Sequence, residues 1–398
     1  MLISDFHSKS LFLLNKKKLI YFDFNKILSE KTFEQPENVF ADSAFVKDKK
    51  IAIALSNKIV YFIDISDDLK TVFTKSSHRR VACLTTNQNE IILGERTGNI
   101  LFLNDKDRVK DEDSSEAGHF SLLTSISLNK SKSLLSTSDR DNRIQVSKFP
   151  EIHDIVSFCL EHTNFVSDIT FVNDAILLSL GADGNLISWN AETGKVIDKY
   201  SVEIESLSEE NIFFKLIYLE NVKVAIFSIN SNQIHYCFIG DDGKLSKQKM
   251  AFPINQTFYD YCPIHKDDGL DLIILFRNGE SFNFTLYSIT FSGEDISMIP
   301  SENLFPFLNV ELENLPKIHP RVELMIPCLK KHEALNKKGE QKYFENKESR
   351  HERLNERRRR HGNRRHKKKR LNENQQTNPA ENDGSHSSSD GSNSEGEQ

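Results

Sequence analysis

The sequence predicts an all-β fold built as a closed array of repeats, and three observations carry that expectation. Apolar runs of four to eight residues recur along the chain, at 18–24, 51–55, 59–65, 91–93, 100–103, 175–180, 222–229, 234–239, 270–276 and 281–290. They are rich in Ile, Val, Phe and Leu, are broken by Asn, Asp, Gly and Lys, and several alternate as half-buried strands do. Helical periodicity over long windows is absent before residue 329. Finally, His78, His119 and His162 lie 41 and 43 residues apart, each just ahead of an apolar run, which marks a repeat of about forty residues.

Taken in order, the strands group near 38–66, 78–105, 118–149, 161–200, 211–245 and 257–290, and the ends at 10–26 and 304–328 can supply a last group. The clearest copy runs from Glu161-His162-Thr163 through Leu177-Leu178-Ser179 to Asp183-Gly184 and Trp189-Asn190. This resembles the WD-repeat pattern, whose four-stranded blades recur every 40–45 residues or so. The pattern implies a buried chain in which Asp183 accepts from His162, which meets Ser179 and the Trp189 indole, each needing the others once desolvated. In the copy of His119 the turn acid is expected at Asp141, and Ser147 stands in the Trp position. In the copy of His78, Thr97-Gly98 replaces Asp-Gly. The expectation is a WD-repeat β-propeller over 1–328, of seven blades with six as the alternative. N- and C-terminal strands sharing one blade would close the ring and remove its exposed edges.

Beyond residue 328 the texture changes. Residues 329–371 are helix-permissive and hold 18 Lys and Arg against 6 Glu, with the densest stretch running from Arg357 to Arg370. Residues 372–398 carry 6 acids, no Lys or Arg and many Ser, Asn and Gly, the composition of a disordered tail. The whole chain has a net charge of −6, so the propeller region is left at −12. An acidic body is poorly suited to bind nucleic acid unaided, whereas the arm is suited to phosphate contact or to nuclear import. Cys83, Cys159, Cys237, Cys262 and Cys328 are odd in number and scattered in apolar runs, which speaks against a disulfide framework. No secretory leader and no apolar run long enough to cross a bilayer is visible, so a soluble chain of the nucleus or cytosol, without a membrane partner, is expected.

The sequence offers no catalytic constellation, so a non-enzyme is expected. It has no phosphate-cradling glycine loop, nucleophile elbow or metal-binding histidine pair. Gly94-Glu95-Arg96-Thr97-Gly98 lacks a following Lys and leads into a strand. His162, Ser179 and Asp183 imitate a triad on paper, but the blade network already accounts for them and nothing suggests an oxyanion hole. The spacing of His78, His119 and His162 fits blade register and not a zinc site, so all three are expected to be structural histidines, and no metal and no cofactor are expected on this chain.

Ser138-Asp139-Arg140-Asp141-Asn142-Arg143-Ile144-Gln145-Val146-Ser147 is charged where its counterpart, Gly181-Ala182-Asp183-Gly184-Asn185, is small and nearly neutral. Asp141 has a structural role as the turn residue, whereas the fold requires none of Arg140, Arg143 and Lys148; a solvated loop and a surface kept for a partner are the two readings. The block is followed by Phe149-Pro150 and then by Phe158-Cys159-Leu160-Glu161-His162-Thr163-Asn164-Phe165-Val166-Ser167. Together with Gly118-His119-Phe120-Ser121, Leu177-Leu178-Ser179 and Lys342-Tyr343-Phe344-Glu345-Asn346, it resembles the WD-repeat non-catalytic subunit of tRNA (guanine-N7-)-methyltransferase. The resemblance is concentrated in residues 117–200.

That resemblance implies a heterodimer with a catalytic subunit, which uses S-adenosylmethionine to form N7-methylguanosine in the variable loop of tRNA. It places the partner contact on Arg140, Asp141, Arg143, Gln145 and Lys148. Gln145 stands where the family usually has Arg or Lys, and Asn142 where it usually has Glu. The alternative is a generic WD-repeat scaffold in a nuclear chromatin or ubiquitin-ligase complex.

Overall fold

A computed structural model of the chain describes residues 2–300 with short interruptions, the longest at 105–116, together with Leu315, Met325, Ile326 and Cys328. The remainder of the expected terminal strand at 304–328, the basic arm and the acidic tail lie outside the described residues.

The described strands form seven four-stranded antiparallel sheets, each a meander of consecutive strands. They cover 2–32, 40–76, 81–118, 123–159, 166–201, 212–251 and 258–300, and are called sheets one to seven below. Sheet two packs on sheet one through Phe12, Leu14, Ile51 and Ile53, and on sheet three through Ala52, Val60, Ile91 and Leu93. The first sheet also packs on the seventh, through Leu11, Leu13, Ile273 and Leu275, so the array closes on itself. The second strands Lys50–Leu55, Glu90–Glu95 and Ile176–Gly181 are buried almost throughout and therefore read as mainly apolar, broken only by network residues such as Ser179 and Glu95.

Two expectations need correction. Sheet one is built from residues 2–32 and sheet seven from 258–300, so among the described residues no blade combines strands from both ends of the chain. The seam between first and last sheets is held by side-chain packing instead. The strand groups read from sequence also omitted outer strands such as Ile27–Thr32 and Lys70–Ser76. These alternate half-buried with exposed positions and carry Lys, Ser, Thr and Glu, so they present no apolar run.

Polar groups on the innermost strands tie neighbouring sheets together. The Leu84 amide donates to Asp42 at 2.9 Å. Ser125 Oγ donates to Asp168 at 2.8 Å, and the other oxygen of Asp168 accepts from the Leu216 amide at 3.1 Å. Lys215 Nζ reaches Asp260 at 2.7 Å and the Tyr261 carbonyl at 2.6 Å. Each acid accepts from a backbone or side-chain donor of a neighbouring sheet, so its burial is compensated by hydrogen bonds.

A candidate partner-binding face on sheet four

In sheet five the hydrogen bonds form one directed chain. The Trp189 indole, which can only donate, gives its N–H to Ser179 Oγ at 2.7 Å. Ser179 Oγ lies 2.7 Å from His162 Nε2 and donates to it when the ring is neutral. His162 Nδ1 then donates to Asp183, 3.1 Å from each oxygen. Thr163 supplies a further amide to Asp183 at 2.9 Å. Burial alone raises the Asp183 carboxyl, but the bonds and charge of His162 and the Thr163 and Asn185 donors outweigh it and hold the pKa at about 2. A Cβ on Gly181 would lie 2.3 Å from His162 Nδ1, so the glycine makes room for the ring.

Sheets three and four satisfy the same place from a different residue. Glu95, Asp139 and Gly181 occupy one register: each ends the second strand, opposite Val81, Leu123 and Val166. In sheet four His119 Nδ1 donates to Asp139 at 2.9 Å and Nε2 meets Thr137 Oγ1 at 2.7 Å. The structural acid is therefore Asp139 and not Asp141. With a carboxylate already at the strand end, the ring is met before the chain reaches the turn. In sheet three Glu95 is 1 % exposed and accepts from Ser77 Oγ at 2.6 Å and the Arg79 amide at 3.0 Å. Ser77 takes the histidine's part and His78 is exposed, which corrects its assignment as a structural histidine. The missing Asp at Thr97 is thus replaced by Glu95, two residues earlier.

The charged turn sits between the strands Leu134–Asp139 and Ile144–Lys148. Asp139 Oδ1 accepts from the amides of Asp141 and Arg143 at 2.8 and 3.1 Å, fixing the loop from beneath. Asn142 has φ +59°, the left-handed conformation that Asn tolerates and that Gly98 and Gly184 adopt in the neighbouring sheets. Its Nδ2 donates to the His162 carbonyl at 2.6 Å, so Asn142 ties sheet four to sheet five. Arg140 and Asp141 are half-buried, with Arg140 Nε 3.9 Å from Asp141 Oδ1, and Arg143 is exposed.

Two of the residues expected on this face are not there. Gln145 is 7 % exposed; its amide donates to Ser147 at 3.0 Å, and it lies between Thr137 and Phe158 on the adjoining strands. Lys148 is exposed but ends the five-residue strand, some 14–17 Å from the turn at about 3.4 Å per residue, and is paired with Asp154 at 3.3 Å. The structure instead brings apolar side chains to the turn. Phe158 and Leu160 are 47 % and 63 % exposed at the end of the outer strand, and Phe120 is fully exposed in the connection entering sheet four. Aromatic and arginine side chains side by side are what protein interfaces concentrate at their centres. The sequence signal was the alternation itself: Phe158 and Leu160 flank Cys159, which ends the outer strand buried and paired with Ile144, so both fall on the opposite face.

Residues 84–239, which contain this turn, match the tRNA methyltransferase TRM82 WD40 domain. The tRNA (guanine-N(7)-)-methyltransferase non-catalytic subunit wdr4 of Dictyostelium discoideum is 27 % identical over 270 residues, 60 % of this chain and 58 % of that protein. The subunit of the same name from Xenopus laevis is 30 % identical over 198 residues, 46 % of this chain and 49 % of its own length. The chain thus spans about half the length of these curated relatives. Among solved structures, the WD40 domain of Toxoplasma gondii coronin superposes with a TM-score of 0.56 at 12 % identity, over 76 % of this chain and 85 % of that domain. U3-55K gives the same TM-score at 14 % identity, over 69 % and 87 %. By matched domain, relatives and fold together, this chain is a WD-repeat β-propeller protein similar to the non-catalytic subunits of tRNA (guanine-N(7)-)-methyltransferase.

Proposed function

We propose that the chain is the non-catalytic partner of a methyltransferase subunit that forms N7-methylguanosine in the variable loop of tRNA. The observation that carries this reading is the coincidence of the matched segment with the charged turn and its apolar neighbours on sheet four. Arg140, Asp141 and Arg143 steer and orient the partner, and Phe120, Phe158 and Leu160 supply the apolar area that holds it. Docking stabilises the partner in its active arrangement, which is a shift of population and not chemistry.

The triad-like residues support a non-enzymatic role, because Ser179 is fully buried and engaged by both His162 and Trp189. S-adenosylmethionine belongs on the partner in this reading. The stretch from Arg357 to Arg370 adds non-specific phosphate contact and directs the chain to the nucleus. Purifying the tagged full chain from its own cells tests the proposal. One stoichiometric methyltransferase is expected; a multi-protein assembly without one would put the generic scaffold in its place.

A further inference from the structure

The turns between second and third strands, and the connections from one sheet to the next, share one end of the array because every sheet is a simple meander. Along sheets two to four these segments form a continuous hydrogen-bonded rim. The Ser77 amide donates to the Lys58 carbonyl at 2.7 Å, and the Arg96 amide to the Arg80 carbonyl at 2.9 Å. The His119 amide donates to Gly98 and the Arg140 amide to Leu122, each at 2.9 Å. Lys58, Arg79, Arg80 and Arg143 are exposed on this rim, and Arg96 and Arg140 are half-buried there.

These segments and the strand ends beside them hold four carboxylates among the described residues, Glu95, Asp139, Asp141 and Glu161, and two of them point into the protein's own network. Glu95 is occupied by Ser77 and the Arg79 amide, and Asp139 by His119 and the turn amides. Asp141 remains partly at the surface, and Glu161, where sheet four leads into sheet five, is exposed. Residues 1–328 as a whole, the arc included, stand at −12, so the basic arc is a local reversal of sign. Glu95 also fixes the backbone from which Arg79 and Arg80 project, so these charges stand on a rigid base. No base-reading geometry is offered, and rows of guanidinium and ammonium groups recognise phosphates by charge and spacing alone.

We infer that Lys58, Arg79 and Arg80 form a phosphate-binding arc that holds the backbone of a folded RNA beside the partner docked on sheet four. The inference rests on the reading of the chain as a subunit of a tRNA-modifying complex. In that reading Arg140 and Arg143 face the partner, and the arc extends from them across sheets three and two, where an RNA held by the partner can reach it.

The test uses the full chain in complex with its catalytic subunit, carrying Lys58→Glu, Arg79→Glu and Arg80→Glu together, with the Gln triple variant alongside it. Complex formation is read first by gel filtration, then labelled tRNA is titrated at several salt concentrations. Both variants are expected to form the complex and melt like the wild type. Each lost phosphate contact removes roughly 0.7–0.9 from the slope of log affinity against log salt, so the Glu variant should be flatter by about 2–3 and the Gln variant by nearly as much. In turnover, KM for tRNA should rise with kcat unchanged. An intact complex with unchanged tRNA affinity and salt slope overturns the arc while leaving the partner proposal standing. If the wild-type chain forms no complex, the partner reading fails, and the comparison is made on the full chain alone, where equal tRNA retention overturns the arc. A poly-glutamate peptide bound by the wild type and lost by the variants, with tRNA binding intact, also overturns it, by assigning the arc to an acidic protein segment.

Discussion

Replacing Asp183 with Asn keeps the side chain's shape and removes its charge. The folded environment holds this carboxyl at about 2 against an ordinary value of 3.8. A group whose folded pKa is depressed contributes stability that is fully present above the unfolded pKa and is lost as pH falls through the folded one. Here the window runs from about pH 4 down to about pH 2, and the contribution at neutral pH is about 2 kcal/mol, at about 1.4 kcal/mol for each pKa unit. The bonds give an independent figure of roughly 1–3 kcal/mol, because Asn offers one acceptor oxygen in place of two and faces either His162 Nδ1 or the Thr163 amide with an N–H. The sole tryptophan is part of the same network: Trp189 is 1 % exposed and bonded to Ser179, so its fluorescence in urea titrations reports this blade directly. The expected result is a variant less stable by about 2 kcal/mol at pH 7, with the difference from wild type closing as pH approaches 2. Parallel pH profiles for the two proteins would refute the assignment of the stabilisation to the ionised carboxylate.

The revised places of the other acids give further outcomes. Glu95→Gln should destabilise by roughly 1–3 kcal/mol, while Thr97→Ala, whose hydroxyl only reaches Glu95 at 3.3 Å, should cost less; melting temperatures decide. Asp139→Ala should lower the melting point clearly, and Asp141→Ala little, the reverse of what the spacing of the repeat suggests. Phe158→Ser with Leu160→Ser should leave the melting point within about a degree or two, since exposed positions usually matter by about 0.5 kcal/mol or less, yet weaken binding of the catalytic subunit in a pull-down. Deleting residues 350–398 should leave the propeller folded and reduce nuclear accumulation of a fluorescent fusion.

The repeat was legible because burial imposes it: a His, a Ser, an Asp and a Trp spaced to satisfy one another leave their period in the sequence. Sheets three and four were harder. Their carboxylate comes from the strand end, at Glu95 and Asp139, and a reader counting from His78 or His119 to a turn acid arrives at Thr97 or Asp141. The Gly181 that makes room for the His162 ring marks the alternative, since only a sheet with its acid in the turn needs a glycine there. Outer strands escaped for a different reason: one face meets water, so Lys70–Ser76 carries five polar residues against two apolar ones, Val72 and Phe73. The burial of Gln145 was not readable, because it depends on neighbours across two ladders and on a register shift at Val146 and Ser147. The separation of Lys148 from the turn was readable, as a five-residue strand carries its far end some 14–17 Å from the turn at about 3.4 Å per residue.

Reversing Arg140 and Arg143 together to Glu is the most direct test of the proposed role. Both side chains lie on a turn whose shape is set by Asp139 and Asn142, so the substitution leaves the supporting bonds in place. Like charges brought together at an interface cost several kcal/mol, enough to abolish association. Mass spectrometry of tRNA from cells carrying the double variant should show loss of N7-methylguanosine while the propeller accumulates at its normal level and the catalytic subunit no longer co-purifies. Unchanged co-purification together with unchanged N7-methylguanosine would contradict the account and remove the sheet-four turn from the interface.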